Sequence, residues 1–159
     1  MKKIVLAAAT VLAFSSSSAF AAQATGSATA NIIAPISVTH TALATLNFGT
    51  FDAGTGGSVS VTQGGIGSVG GSVNFVSGSV NAADAFTVAG DGNRVFTIVT
   101  TGGNVTSGAN TMAFTTSAPA TGTLSGGVGG FSVGGTLTVG SGQAVGSYTG
   151  TYTATVNYQ

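Results

Sequence analysis

The sequence predicts an all-β, immunoglobulin-like antiparallel β-sandwich of about seven to nine strands. Three observations carry that expectation. Apolar residues recur at every second position in short runs, and Gly-rich or turn-forming breaks separate the runs at intervals of about ten residues. Stretches rich in Leu, Glu and Lys are nearly absent after the first residues, and Val and Thr, which fit a pleated half-buried surface better than a helix, take their place.

The first element along the chain is an export signal. MKKIVLAAATVLAFSSSSAFA has Lys2 and Lys3 as a positive n-region, residues 4–14 as an apolar h-region, and Ala19 and Ala21 at an A-x-A site. Cleavage after Ala21 makes residues 1–21 a signal peptide. The apolar run is about 11 residues, well short of the roughly 20 that cross a bilayer as a helix, so the expectation is export without membrane insertion. Residues 22–33 then form an N-terminal extension in which Ala24, Gly26, Ala28, Ala30 and Ile32 share one small apolar face. Pro35 interrupts that alternation and cannot donate to a ladder, so the sandwich domain is expected over 34–159, with its first strand from about Ile36.

Within the domain the strand candidates follow in order. Val59 and Val61, Val73 and Phe75, Phe86 and Val88, Phe96 and Ile98, and Met112 and Phe114 are each paired at period two; Phe131 and Val133, then Leu137 and Val139, continue the series. Between them lie AGTGGS, GGIGSVGG, AGDGNR, TGGN, SGAN, SAPATG and VGSGQ. In AFTVAGDGNRVFTIV, Asp91-Gly92-Asn93 separates two alternating runs and accommodates positive φ, which predicts a β-hairpin. The closing stretch GSYTGTYTATVNYQ alternates throughout, with Tyr148, Tyr152, Ala154, Val156 and Tyr158 on one face, and is expected to form one long strand. No unit repeats at a fixed period, which excludes a solenoid or propeller.

Composition removes several function classes. Without the signal peptide the chain carries Asp52, Asp84 and Asp91 against a single cation, Arg94. Such a surface has no basic patch for releasing counterions, so nucleic acid is excluded as a partner. It also has little charge to oppose self-association. No cysteine is present, so neither disulfides nor thiolate metal sites contribute.

Catalytic and cofactor chemistry lacks its residues. Gly65, Gly67 and Gly70 match G-x-G-x-x-G, but the helix that a dinucleotide fingerprint opens is missing from a Gly-, Ser- and Val-rich stretch; among 27 glycines the match is expected by chance. His40 is the lone histidine and lies in a Thr-rich alternating segment with no nucleophile elbow nearby, so it reads as an edge or surface strand residue. The three aspartates stand in turn-like contexts, a thin supply for glycoside hydrolysis or calcium. Asn104-Val105-Thr106 matches a glycosylation acceptor, but the export signal is of bacterial type. The expectation is therefore no enzyme, no metal and no cofactor.

Residues 132–159, SVGGTLTVGSGQAVGSYTGTYTATVNYQ, resemble the closing signature of a bacterial family catalogued as domain of unknown function family 4402. ANIIAPISVTHTALATLNFG and AADAFTVAGDGNRVFTIVT extend the resemblance over nearly the whole mature chain. The family name confers no activity. The tail is also similar to the C-terminal strand of pilin subunits assembled by the chaperone-usher route: Tyr158 is penultimate, Val156, Ala154 and Tyr152 alternate before it, and Gly146 stands fourteenth from the end.

This second resemblance implies a Gram-negative fimbrial subunit at the cell surface, a homopolymer built by β-strand complementation and served by a periplasmic chaperone and an outer-membrane usher. Gly146, Tyr148, Tyr152, Ala154, Val156 and Tyr158 would then form the recognised strand, and Ala24, Gly26, Ala28, Ala30 and Ile32 the donor. The donor residues are smaller than those of many pilins, and the disulfide many pilins carry is missing. Any sandwich whose last strand is half buried alternates in this way, which keeps open an alternative: a self-complete secreted or periplasmic β-sandwich binding module. A small outer-membrane barrel fits less well, for want of aromatic girdles and long strands. A functional amyloid fits less well for want of repeats and Asn/Gln ladders.

Overall fold

The computed structural model describes residues 21–159, so the expected signal peptide, apart from Ala21, lies outside the described residues. The chain divides into two units, Met1–Asn31 and Ile32–Gln159. The described residues of the first have no secondary structure and are exposed. The second contains thirteen strands and, among the described residues, no helix. In chain order the strands are β1 (Ser37–His40), β2 (Phe51–Asp52), β3 (Gly57–Val61), β4 (Gly67–Gly71), β5 (Asn74–Phe75), β6 (Asp84–Ala89) and β7 (Val95–Thr101). They continue with β8 (Gly103–Ser107), β9 (Asn110–Ser117), β10 (Thr121–Thr123), β11 (Val128–Val139), β12 (Thr149–Gly150) and β13 (Thr153–Tyr158). β2, β5, β10 and β12 have two or three residues each, and these short pieces carry the count beyond the expected seven to nine.

Every pairing is antiparallel. The large sheet runs β1-β6-β11-β9-β8-β12, with β3 and β4 joined to it through β11. A three-stranded sheet, β10-β7-β13, lies across part of it, and β2 and β5 form a small ribbon. The long strand β11 organises the large sheet by changing neighbours: Val128 to Val133 pair with β6, whereas Gly135 to Val139 pair with β3. Gly134 stands at the changeover, where a Cβ would collide with the Val61 carbonyl. Only glycine permits that approach.

Alternation places the core. Val88, Phe131 and Val133 from the large sheet meet Phe96, Ile98 and Val156 from the small sheet, together with Leu124, in one cluster. A second cluster, Val59, Val61, Met112, Phe114, Leu137 and Val139, is roofed by Phe48 and Val73, with Phe51, Phe75 and Tyr148 packed against it. The three-stranded sheet thus covers one end of the large sheet, and loops with the β2–β5 ribbon cover the other.

The expected hairpin at Asp91-Gly92-Asn93 is not one. β6 belongs to the large sheet and β7 to the small one, so the turn is an arch between sheets. Asn93 does adopt the left-handed conformation (φ 61), and its N–H donates to the Leu124 carbonyl. Val88 and Phe96 are both fully buried from opposite sides of the core, and the same period two would have served a hairpin equally well. Periodicity reports which face is buried, not which strand lies beside it.

Phe96 is fully buried at the centre of the inter-sheet cluster. Phe96→Ala should lower the unfolding free energy by about 3–5 kcal/mol through lost burial and a residual cavity, measured by urea denaturation.

Candidate functional site

The C-terminal segment is where the sandwich departs most from its expected form. Instead of one strand over residues 146–159, Thr149 and Gly150 pair with β8 in the large sheet, and Thr153 to Tyr158 pair with β7 in the small one. Thr151 and Tyr152 make the corner between them. A strand that passes from one sheet to the other must bend, and a residue at the bend can face both cores. Tyr152 does so, packing against both clusters.

At that corner three side chains form a polar network. Tyr152 donates from its hydroxyl to Asp84 Oδ2 (2.7 Å), His40 Nε2 lies 2.7 Å from Asp84 Oδ1, and the Ala85 N–H also donates to Oδ1 (2.8 Å). Asp84 opens β6 on its inner face, in register with Phe86 and Val88, and is only 4% exposed. A buried carboxylate is tolerable because each oxygen accepts from a protein donor. Phe86 frames the network, edge-on to His40 (5.2 Å) and Tyr152 (6.1 Å) and stacked on Phe131 (5.2 Å). Burial, and then the Asp84 carboxylate to which it donates, hold the Tyr152 hydroxyl well above the ordinary phenol range.

This arrangement corrects one expectation, since Asp84 is not in a turn. His40 stands on an edge strand with half of its side chain exposed, as expected, and its ring is in addition tied to a buried carboxylate. The signal was present in DAFTV, where Asp84 stands at period two with Phe86 and Val88 and hence on the apolar face.

β13 has a strand on one side only, because the small sheet ends there. The Gln159 N–H donates to the Val95 carbonyl. By antiparallel parity, residues 153, 155 and 157 also bond to β7, which turns the N–H and C=O groups of Ala154, Val156 and Tyr158 to the open side. β1 flanks that opening, and it too is an edge, paired only with β6. Ile36, Val38, Ala154 and Tyr158 are partly buried against the inter-sheet cluster there. Tyr158 fixes one end: its hydroxyl donates to the Ala34 carbonyl (2.8 Å) and accepts from the Asp91 N–H (2.6 Å). Arg94, paired with Asp91 at 2.6 Å, lies over its ring.

The remaining sequence-predicted residues are dispersed. Gly146 and Tyr148 precede β12 in a loop, where the Tyr148 hydroxyl donates to the Ala144 carbonyl and accepts from Gln143 Nε2. Ala24, Gly26, Ala28 and Ala30 are exposed without secondary structure, and Ile32, the first residue of the second unit, is 95% exposed. At the other end of the large sheet a half-open cavity of about 1100 Å³ lies between residues 45–54 and 143–152. Phe48, Phe51, Met112, Phe114 and Leu137 line it, as do His40, Asp84 and Tyr152. Among the described residues no three His, Asp or Glu side chains are placed to share a metal ion.

Residues 36–158 match the family model described as Domain of unknown function (DUF4402), and the chain belongs to that family. No curated protein and no solved structure matches it.

The Tyr152 network has a pH signature. Because the folded-state value lies above the unfolded 10.0, the contribution of Tyr152 to stability is complete below pH 10.0 and declines as pH rises beyond it. Melting curves should therefore fall more steeply above that pH for the wild type than for Tyr152→Phe. At neutral pH the variant should be less stable by about 1–3 kcal/mol, the usual loss for a hydrogen bond to a buried carboxylate.

Proposed function

We propose that the chain is an exported, non-catalytic structural subunit of fimbrial type, assembling into a cell-surface filament by β-strand complementation. The observation that carries this reading is the open side of β13. Ala154, Val156 and Tyr158 present unpaired backbone groups there, while their side chains lie on the inter-sheet core. An added strand would complete the ladder and cover Ile36, Val38 and Ala154, with ladder hydrogen bonds supplying affinity and alternate side chains fixing register.

The donor in this reading is residues 22–33 of a second copy, with Ala24, Gly26, Ala28, Ala30 and Ile32 facing inward. Small side chains bury little area each, so the ladder carries most of the interaction. The exposure of these residues leaves them available to a neighbour. Before assembly, an open edge on a protein with so few charges is a hazard, and a periplasmic chaperone would cap it until an outer-membrane usher passes the subunit on. The cavity supports a second reading, the self-complete secreted or periplasmic binding module, in which β13 is the finished edge of a stable monomer.

Two experiments separate these readings. Light scattering on the mature chain should show heat-resistant linear oligomers, and on a chain lacking residues 22–33 a monomer that a peptide of that segment stabilises. Equal, stable monomers in both cases favour the binding module. Ala154→Pro removes an N–H only from the open side, so it should leave the β7 ladder intact and abolish oligomers at least tenfold more strongly than it alters monomer unfolding, judged by the same scattering assay.

A further inference from the structure

The loops that wall the cavity carry features that folding alone does not require. Leu43 precedes the 45–54 wall at the tip of a turn closed by the Ala44 N–H to Thr41 carbonyl bond; it is fully exposed, with φ at 67°. A non-glycine residue pays roughly 1–2 kcal/mol for that left-handed conformation. On the opposite wall Val145 is also fully exposed. Val145 and the partly exposed Val76 are both lining residues, so apolar surface extends to the rim of the cavity.

The chemistry of the lining narrows what that is. No Lys or Arg is among the lining residues, and Arg94, the only cation of residues 21–159, is paired with Asp91 beside Tyr158. An anionic ligand would find no countercharge. Asp84 is already served by three donors and has nothing further to ask of a ligand. His40 differs. Its Nε2 faces the carboxylate, which places a proton there, and in the neutral ring Nδ1 is then the acceptor. Nδ1 has no hydrogen-bond partner among the described residues, and His40 lines the cavity. The chain's own extension is a poor filler, since Ala24, Gly26, Ala28 and Ala30 offer a methyl group or less each and would leave most of about 1100 Å³ empty.

We propose that this cavity binds an uncharged, largely apolar small molecule whose hydroxyl group donates a hydrogen bond to His40 Nδ1. The volume and the aromatic walls suit a compound of one or a few fused or linked rings, with His40 as the orienting polar group. The assignment is independent of strand addition at β13, and its test uses no oligomer measurement.

1-Naphthol and naphthalene differ by the hydroxyl alone and serve as probes in equilibrium dialysis against the mature chain. The expected result is saturable binding of one 1-naphthol per chain, about tenfold tighter than naphthalene, the usual worth of one hydrogen bond. His40→Phe should erase that preference while naphthalene affinity is kept, with circular dichroism confirming that the variant is folded. Should it not fold, Ala144→Trp reports instead: Ala144 is exposed at the cavity wall, and an indole there should weaken both probes at least tenfold without breaking a buried contact. Equal affinity for the two probes, no saturable binding, or no effect of Ala144→Trp would each overturn the proposal. So would competitive displacement of 1-naphthol by a peptide of residues 22–33, which would make the cavity an acceptor for chain and not for a small molecule.

Discussion

The hydrogen bond from Tyr152 to Asp84 joins elements that the backbone ladders leave separate. β12 belongs to the large sheet and β13 to the small one, and the residue between them reaches the first residue of β6. His40 brings the end of β1 to the same carboxylate. The corner, the edge strand and the centre of the large sheet are therefore positioned about one buried carboxylate, and removing a donor would leave it under-satisfied at a cost of about 1–3 kcal/mol. Phe86, edge-on to both His40 and Tyr152, frames the network.

Around this join the domain is built almost without charge. Among the described residues, Arg94–Asp91 is the ion pair and His40–Asp84 a hydrogen bond to a buried carboxylate, and each holds a connection between sheets or the end of a strand. Elsewhere cohesion comes from ladders and from apolar layers such as Val88, Phe96 and Val133. Proteins usually protect edge strands with lysines, prolines or bulges. β13 carries neither lysine nor proline, and Thr153, Thr155 and Asn157 are its exposed alternate residues.

Strand addition proposed at the open edge and binding proposed in the cavity would rest on different physics. An edge offers a directional row of donors and acceptors, reads a partner by register and tolerates small side chains. A cavity offers volume and apolar area, and a single polar group such as His40 would orient what enters. The edge lies against the inter-sheet cluster and the cavity against the cluster under the loops, so a ligand in one need not exclude a strand at the other.

Period two in the sequence identified the inward residues of β6, β7, β9, β11 and β13, because a half-buried strand alternates whatever its neighbours. Gly, Asn and Asp likewise marked the breaks, since few other residues tolerate their backbone angles; Asn93 is left-handed as its turn required. What the same pattern does not contain is the partner of each strand. AFTVAGDGNRVFTIV alternates identically as a hairpin or as an arch, and GSYTGTYTATVNYQ as one strand or as two in different sheets. That choice belongs to tertiary structure, because it depends on where distant backbone lies: β8 and β7 divide the tail between them, and β11 separates β6 from β9. The site followed the same rule. Asp84 could be assigned to the apolar face from its spacing, but its donors come from positions 40 and 152, brought together only when the sheets pack, since burial of a charge dictates that partners exist and never how far along the chain they stand.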